Sequence, residues 1–135
     1  MGKNIWTIKK MIKSKFELFI TLYVLINNIY DQTKNKDLVE YLSDANPFVW
    51  EEETSWDPAV YDNFSELYDK SGNLNDYGYE FVKLYLSQLD DYYKSTKTVV
   101  NNISKENYIS EIKKILSNPF DYYRNQFAPK DTSKN

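Results

Sequence analysis

The side chains that could carry chemistry in this 135-residue chain are carboxylates, lysines and tyrosines, because the sequence contains no histidine and no cysteine. Those two absences remove the usual general base near neutral pH, the common nucleophilic dyads and the commonest metal ligands. The three glycines, Gly2, Gly72 and Gly78, form no phosphate-binding loop pattern. We therefore expect a non-catalytic protein without a cofactor. An enzyme that works with a buried carboxylate beside a pocket remains an alternative.

An acidic segment lies between two tryptophans in the middle of the chain. Trp50 and Trp56 flank the three consecutive acids Glu51, Glu52 and Glu53. Tryptophan is favoured in binding hot spots, and acidic neighbours attract a basic partner and accelerate encounter. The segment therefore predicts a partner-binding surface. The alternative is structural: the two tryptophans fix the loop onto the protein while the glutamates stay in water.

A stripe of acids on the helix that follows extends this predicted surface. Asp62, Glu66 and Asp69 are spaced four and three residues apart, which places them on one helical face. The apolar residues Val60 and Phe64 differ from them in helical phase and are expected to face the core. Asp62, Glu66 and Asp69 therefore join the two tryptophans and the three glutamates as predicted partner-binding residues.

One spacing invites comparison with a calcium-binding loop. Residues 69–80 offer side-chain oxygens at several of the ligand positions, but Leu74 stands where such a loop needs glycine for its sharp turn. The simpler interpretation is a helix stop followed by a new helix that Asn75 caps. We therefore expect no metal site here.

The net charge of −3 is unevenly distributed along the chain. Residues 1–15 hold five lysines and no acid, whereas residues 37–91 hold 14 acids against Lys70 and Lys83. The basic start supports an alternative function, a nucleic-acid or membrane-surface adaptor. Arg124 is the only arginine, which leaves little bidentate recognition of phosphate, so the leading interpretation includes no nucleic acid.

Small, acidic, aromatic-rich helical chains without cysteine resemble bacterial toxin-immunity proteins, which block nucleases or other toxins by direct binding. The resemblance is one of general character and involves no shared motif. It implies an inhibitor whose partner is a basic protein such as a toxin. We expect a cytoplasmic location, since a chain without cysteine needs no oxidising compartment. The oligomeric state is left open.

Helical periodicity without strand alternation predicts an all-α fold, a compact bundle of five or six helices in a single domain over residues 1–128. Residues 1–13 are expected to form a basic arm or a helix extension, and residues 129–135 a frayed polar tail. The first helix is predicted to end at Asp31. Its apolar run, residues 18–26, is far shorter than the ~20 residues that span a bilayer, so it predicts a core helix and no membrane span.

The remaining helices are placed by their start and stop signals. Leu38 and Leu42 indicate a short helix over residues 36–43, before an irregular loop. Asp57 and Pro58 mark the start of a third helix that ends at residues 71–72. A fourth begins near residues 75–76 and extends to residues 99–100. Ser104 caps a fifth, and residues 118–119 start a last turn or two.

Overall fold

The computed structural model describes residues 11–129, which form seven α-helices and no strand. The helices are α1 (Lys15–Thr33), α2 (Val39–Asp44), α3 (Pro58–Ser71), α4 (Tyr79–Leu89), α5 (Thr96–Asn101), α6 (Lys105–Leu116) and α7 (Phe120–Phe127). Two short 3-10 turns, Lys36–Leu38 and Asn75–Gly78, precede α2 and α4. The predicted all-α class is confirmed. The predicted count of five or six helices is too low for this part of the chain.

Helix α1 is the centre of the fold. Ser14 caps it by accepting a hydrogen bond from the backbone N–H of Glu17 at 3.1 Å, and the helix continues to Thr33 rather than Asp31. An unbroken run of side chains, residues 18–26, is buried. A helix that is apolar on all sides must be surrounded by other elements. The predicted core helix is therefore confirmed, and among the described residues no helix is long and apolar enough to cross a membrane.

The basic arm predicted for residues 1–13 falls mainly outside the described residues. Residues 11–13 precede Ser14 and are not helical, so α1 does not extend backwards through them. The tail predicted for residues 129–135 also lies outside the described part, except for Pro129.

Helix α3 has the start that the sequence predicts. Asp57 accepts from the backbone N–H of Ala59 at 3.1 Å, and Pro58 occupies the first turn, where no donor is needed. The helix ends at Ser71, as predicted, and the backbone N–H of Gly72 bonds the carbonyl of Tyr68 at 2.7 Å.

The fourth predicted helix is interrupted, which accounts for the additional helix. Asp90 accepts from the backbone N–H of Lys97 at 3.2 Å, and the hydroxyl of Thr96 donates to the carbonyl of Leu86 at 3.2 Å. Ser95 between them has a left-handed backbone with φ 72°. These side chains compete with the helical hydrogen bonds, so α4 ends at Leu89 and α5 starts separately.

The start of α4 also differs from the prediction, since the helix begins at Tyr79 and Asn75 does not cap it. Asp76 and Tyr77 have φ 53° and 59°, a left-handed conformation that is costly for residues other than glycine. Contacts with α6 hold this turn. The hydroxyl of Tyr108 donates to the carbonyl of Tyr77 at 2.8 Å, and Lys105 lies 2.8 Å from Asp76.

Aromatic rings fill the space between α1, α3 and α4. Phe64 is fully buried and its ring centre lies 5.0 Å from that of Phe19, 5.3 Å from Phe81 and 4.9 Å from Tyr85, each in an edge-to-face arrangement. Such pairs contribute beyond their buried area. Phe64 thus joins three helices at one point.

Three of the buried tyrosines in this core bond their hydroxyls to partners in the same interior. Tyr41 and Tyr85 share a buried hydrogen bond of 3.0 Å between their hydroxyl oxygens, which connects α2 to α4. Tyr123 donates to the carbonyl of Ile115 at 2.8 Å. Among the described residues, no buried side-chain nitrogen or oxygen lacks a partner.

We expect Phe64→Ala to lower the free energy of unfolding by about 3–5 kcal/mol, because it removes a ring from three packed helices and leaves a cavity. Urea denaturation followed by circular dichroism measures this change. Tyr92→Ala is the matched control, since Tyr92 is 80% exposed and its replacement is expected to stay within about 0.5 kcal/mol of wild type. Equal effects of the two substitutions would contradict the packing described here.

The buried tyrosines predict a loss of stability at alkaline pH. Burial raises the pKa of Tyr23 to about 12 and raises the pKa of Tyr41, Tyr85 and Tyr108 well above the ordinary value. The folded state holds these protons more tightly than the unfolded chain, so their contribution is complete below about pH 10 and is lost as the pH rises above it.

A pH titration with two readouts tests this expectation. Tyrosinate absorbance should include a late step, above about pH 10, that coincides with loss of helical circular dichroism. A single tyrosinate step that is complete while the helices remain intact would contradict it.

Candidate functional site

The predicted partner-binding residues occupy the long connection between α2 and α3 and the outer face of α3. We call the set of eight the acidic tryptophan surface: Trp50, Glu51, Glu52, Glu53, Trp56, Asp62, Glu66 and Asp69. All eight side chains are exposed.

The two tryptophans form a stacked pair at the protein surface. Their ring centres lie 5.5 Å apart and their planes are nearly parallel, at 7°. Trp50 is 40% exposed and Trp56 is 49% exposed. The ring N–H of Trp50 donates to the carbonyl of Ser55 at 3.0 Å, so its polar group is already bonded within the loop. What remains of the Trp50 ring for a partner is its apolar surface.

The loop that carries the pair is closed at its base. The backbone N–H of Trp56 bonds the carbonyl of Asn46 at 2.9 Å, and that of Asp57 bonds the carbonyl of Asp44 at 2.9 Å. Asn46 also donates from its side chain to the carbonyl of Phe127 in α7 at 3.0 Å. A loop whose ends are bonded together presents its tip in a defined position.

Phe48 holds the underside of the loop against the protein. It is 2% exposed, and its ring centre lies 6.2 Å from that of Tyr23 on α1 and 6.1 Å from that of Phe127. The guanidinium of Arg124 lies 5.6 Å from the centre of the Phe48 ring. Phe48 therefore has the anchoring role that the structural alternative gave to the tryptophans.

Ser55 completes the hydrogen bonding at the start of α3. It is fully buried, and its hydroxyl accepts from the backbone N–H of Tyr61 at 3.0 Å while donating to the carbonyl of Asp57. The backbone N–H of Val60 bonds that same carbonyl at 3.0 Å. Together with the cap on Ala59, these bonds satisfy the free donors of the first turn.

No protein-family model, curated protein or solved structure matches this chain.

The acids of the loop and of α3 raise the pKa of the same tyrosine, Tyr61. The pKa of Tyr61 is raised to about 12, mainly by burial and in smaller part by the negative charges of Glu53, Asp69 and Asp62. Carboxylates from two separate segments thus contribute to one negative field.

Asp69 differs from the other acids of the surface. Its carboxylate lies 2.8 Å from the ammonium of Lys15, the first residue of α1. This pair neutralises one end of the α3 stripe, so Asp69 is less available to a partner than Asp62 or Glu66. Of the other N-terminal lysines, Lys13 is exposed and the earlier three lie outside the described residues.

The acids of the calcium-loop pattern, residues 69–80, do not lie together in the structure. Asp69 contacts Lys15, whereas Asp76 lies in the left-handed turn and contacts Lys105. Within residues 11–129, no group of three or more acidic side chains is close enough to hold a metal ion.

Sequence reasoning missed Asn46 and Ser55, which hold the loop together with Phe48. The signal for Asn46 was present, because asparagine before proline favours a turn in which its side chain accepts a backbone hydrogen bond. Here that bond comes from the N–H of Phe48 at 2.9 Å. Ser55 carries no comparable signal, since its partner Tyr61 lies six residues ahead.

We expect Ser55→Ala to lower the free energy of unfolding by about 1–3 kcal/mol, because the N–H of Tyr61 loses its buried acceptor. Chemical denaturation of the purified protein measures the loss. The matched control is Ser87→Ala, which removes an exposed hydroxyl from α4 and should change stability by no more than about 0.5 kcal/mol. If the two variants were equally stable, the hydroxyl of Ser55 would not hold the start of α3.

Proposed function

We propose that this chain is a non-catalytic protein-binding domain that docks a basic protein on the acidic tryptophan surface. The observation that carries the proposal is the exposed Trp50–Trp56 stack on a loop closed at its base. Adjacent apolar groups exposed at a surface mark interaction sites, and these rings are 40% and 49% exposed. Because the loop is already ordered, little conformational entropy is lost when a partner covers the rings.

The charges around the rings favour a basic partner. Glu51, Glu52 and Glu53 are exposed beside the tryptophans, and Asp62 and Glu66 are exposed on the adjacent helix. A negative patch raises the rate of encounter with a positive surface, and dissolved salt screens that attraction. The rings would supply apolar contact area, while the carboxylates would orient the partner.

The biological role that fits such a domain best is inhibition of a bacterial toxin by direct binding. The general resemblance to toxin-immunity proteins supports this role, since an acidic inhibitor suits a toxin whose own surface is basic. Co-expression of this chain with a candidate bacterial toxin tests the role. Rescue of cell growth is expected, and a toxin that kills equally well in the presence of the folded protein would argue against it.

A charge-reversal variant tests the binding surface directly. We expect Glu51→Lys, Glu52→Lys and Glu66→Lys together to leave the fold intact, because exposed charges typically contribute within about 0.5 kcal/mol. Association with the isolated basic partner should slow at low salt, and wild-type association should slow as salt rises. Stopped-flow or surface-binding kinetics measure both rates, and circular dichroism checks the fold.

The matched control carries the same change in charge on other parts of the protein. Asp91→Lys, Glu106→Lys and Asp121→Lys replace exposed acids of the α4–α5 turn, α6 and α7. This variant should associate faster than the surface variant. If both variants bind at the same rate, only net charge matters, and the acidic tryptophan surface is not the docking site.

A further inference from the structure

A second candidate site lies away from the tryptophans, between α1, α5 and α6. It is a cleft of about 510 Å³ that opens beside the last turns of α1. Leu25, Ile29 and Val99 contribute aliphatic side chains to its lining, and asparagine, glutamine and threonine side chains contribute the polar part. The size is within the range of about 300–1,000 Å³ that is usual for ligand sites.

Side-chain amides from separate elements line this cleft. Asn28 and Gln32 lie one turn apart on α1, while Asn102 and Asn107 lie at the end of α5 and in α6. Each amide offers two donors and an acceptor. Within the described residues, none of these four side-chain amides is engaged in a hydrogen bond, whereas the carbonyl of the Asn35 side chain accepts from the N–H of Asp37.

The hydroxyls in the lining are already bonded to nearby backbone carbonyls. Thr33 donates to the carbonyl of Ile29 at 2.8 Å, and Thr98 donates to that of Ser95 at 2.7 Å. The polar groups that remain for a ligand are therefore mainly amides, which match other amides in both donor and acceptor capacity.

The charge of the lining excludes anions as the preferred ligand. Glu111 is the only ionisable side chain among the described lining residues, and its carboxylate lies 3.2 Å from the ammonium of Lys114. A phosphate would meet no cation in the lining and would lie near a carboxylate. The lining that the structure describes also contains no aromatic ring on which a nucleobase could stack.

The aliphatic part of the lining favours a peptide over a sugar as the ligand. Hydroxyls placed against Leu25, Ile29 and Val99 would lose their hydrogen bonds to water without replacement, which is unfavourable. An extended peptide places successive side chains on opposite sides, so an apolar side chain can cover this part while the main chain meets the amides.

We propose that this cleft binds a short, uncharged peptide segment of another protein in an extended conformation. Main-chain N–H and C=O groups of the segment bond to Asn28 and Gln32 on one wall and to Asn102 and Asn107 on the other. One apolar side chain of the segment packs on Ile29, which is partly exposed. This site is independent of the acidic tryptophan surface and takes a ligand of different charge.

Nuclear magnetic resonance of the full chain with a defined probe tests the proposal. The probe is acetyl-Ala-Val-Ala-methylamide, an uncharged peptide with free main-chain groups and one apolar centre. We expect saturable shifts of the side-chain amide signals of Asn28, Gln32, Asn102 and Asn107 at millimolar probe. Asn28→Leu and Asn102→Leu should each weaken binding at least tenfold, because a side chain of similar size loses its donors and acceptor.

The matched control is Asn125→Leu, which replaces an exposed asparagine of α7 outside the cleft and should bind the probe as wild type does. Asn102 is exposed and follows the last residue of α5, so its replacement keeps the test valid if Asn28→Leu disturbs α1. Three results would overturn the proposal: no saturable shift with the peptide, equal loss in the control, or saturable shifts with maltotriose in place of the peptide.

Discussion

The fold depends on the burial of α1 on every side. Every residue from 18 to 26 is buried, so this part of the helix has no face in water. The other elements must therefore pack around it. The α2–α3 loop contacts it through Phe48, and α3 contacts it through Phe64, whose ring meets that of Phe19.

Both candidate sites follow from this arrangement. The acidic tryptophan surface is held in place because Phe48 reaches Tyr23 in the middle of α1. The cleft between α1, α5 and α6, here called the amide-lined cleft, lies where the side chains of α1 change from apolar to polar, at Asn28 and Gln32. One helix therefore supports an acidic, aromatic surface and a neutral, polar one at different points along its length.

Tyrosines give this core properties that phenylalanines would not. Tyr41 and Tyr85 place hydroxyls within the buried interior and bond them to each other, and Tyr93 donates to Asp44 at 2.8 Å. A buried hydroxyl is costly without a partner, so each such bond favours one packing over its alternatives. Helix α2, only six residues long, is positioned by these contacts.

The sequence predicts those features that depend on neighbouring residues. The helical class, the central α1, the cap formed by Asp57 and Pro58 and the cap formed by Ser104 follow from local spacing, and the structure has all of them. The break after α4 was missed because Thr96 bonds a carbonyl ten residues away. The pairing of Asp69 with Lys15 joins residues 54 positions apart, and no local pattern indicates it. The acids and the tryptophans are neighbours in the sequence, so their proximity is predicted. The stacking of the two rings and the side chains that anchor the loop depend on distant residues and are not predicted.

The stacked tryptophans allow binding at the acidic tryptophan surface to be followed by optical spectroscopy. The chain has three tryptophans, and two of them form this stack, while Trp6 lies outside the described residues. Indole emission depends on contact with water, and parallel rings at this distance couple their electronic transitions. A ligand that covers or separates the rings would change emission and near-ultraviolet circular dichroism without any attached label. A ligand in the amide-lined cleft has no tryptophan in its described surroundings, so light absorbed by indole distinguishes occupancy of the two sites.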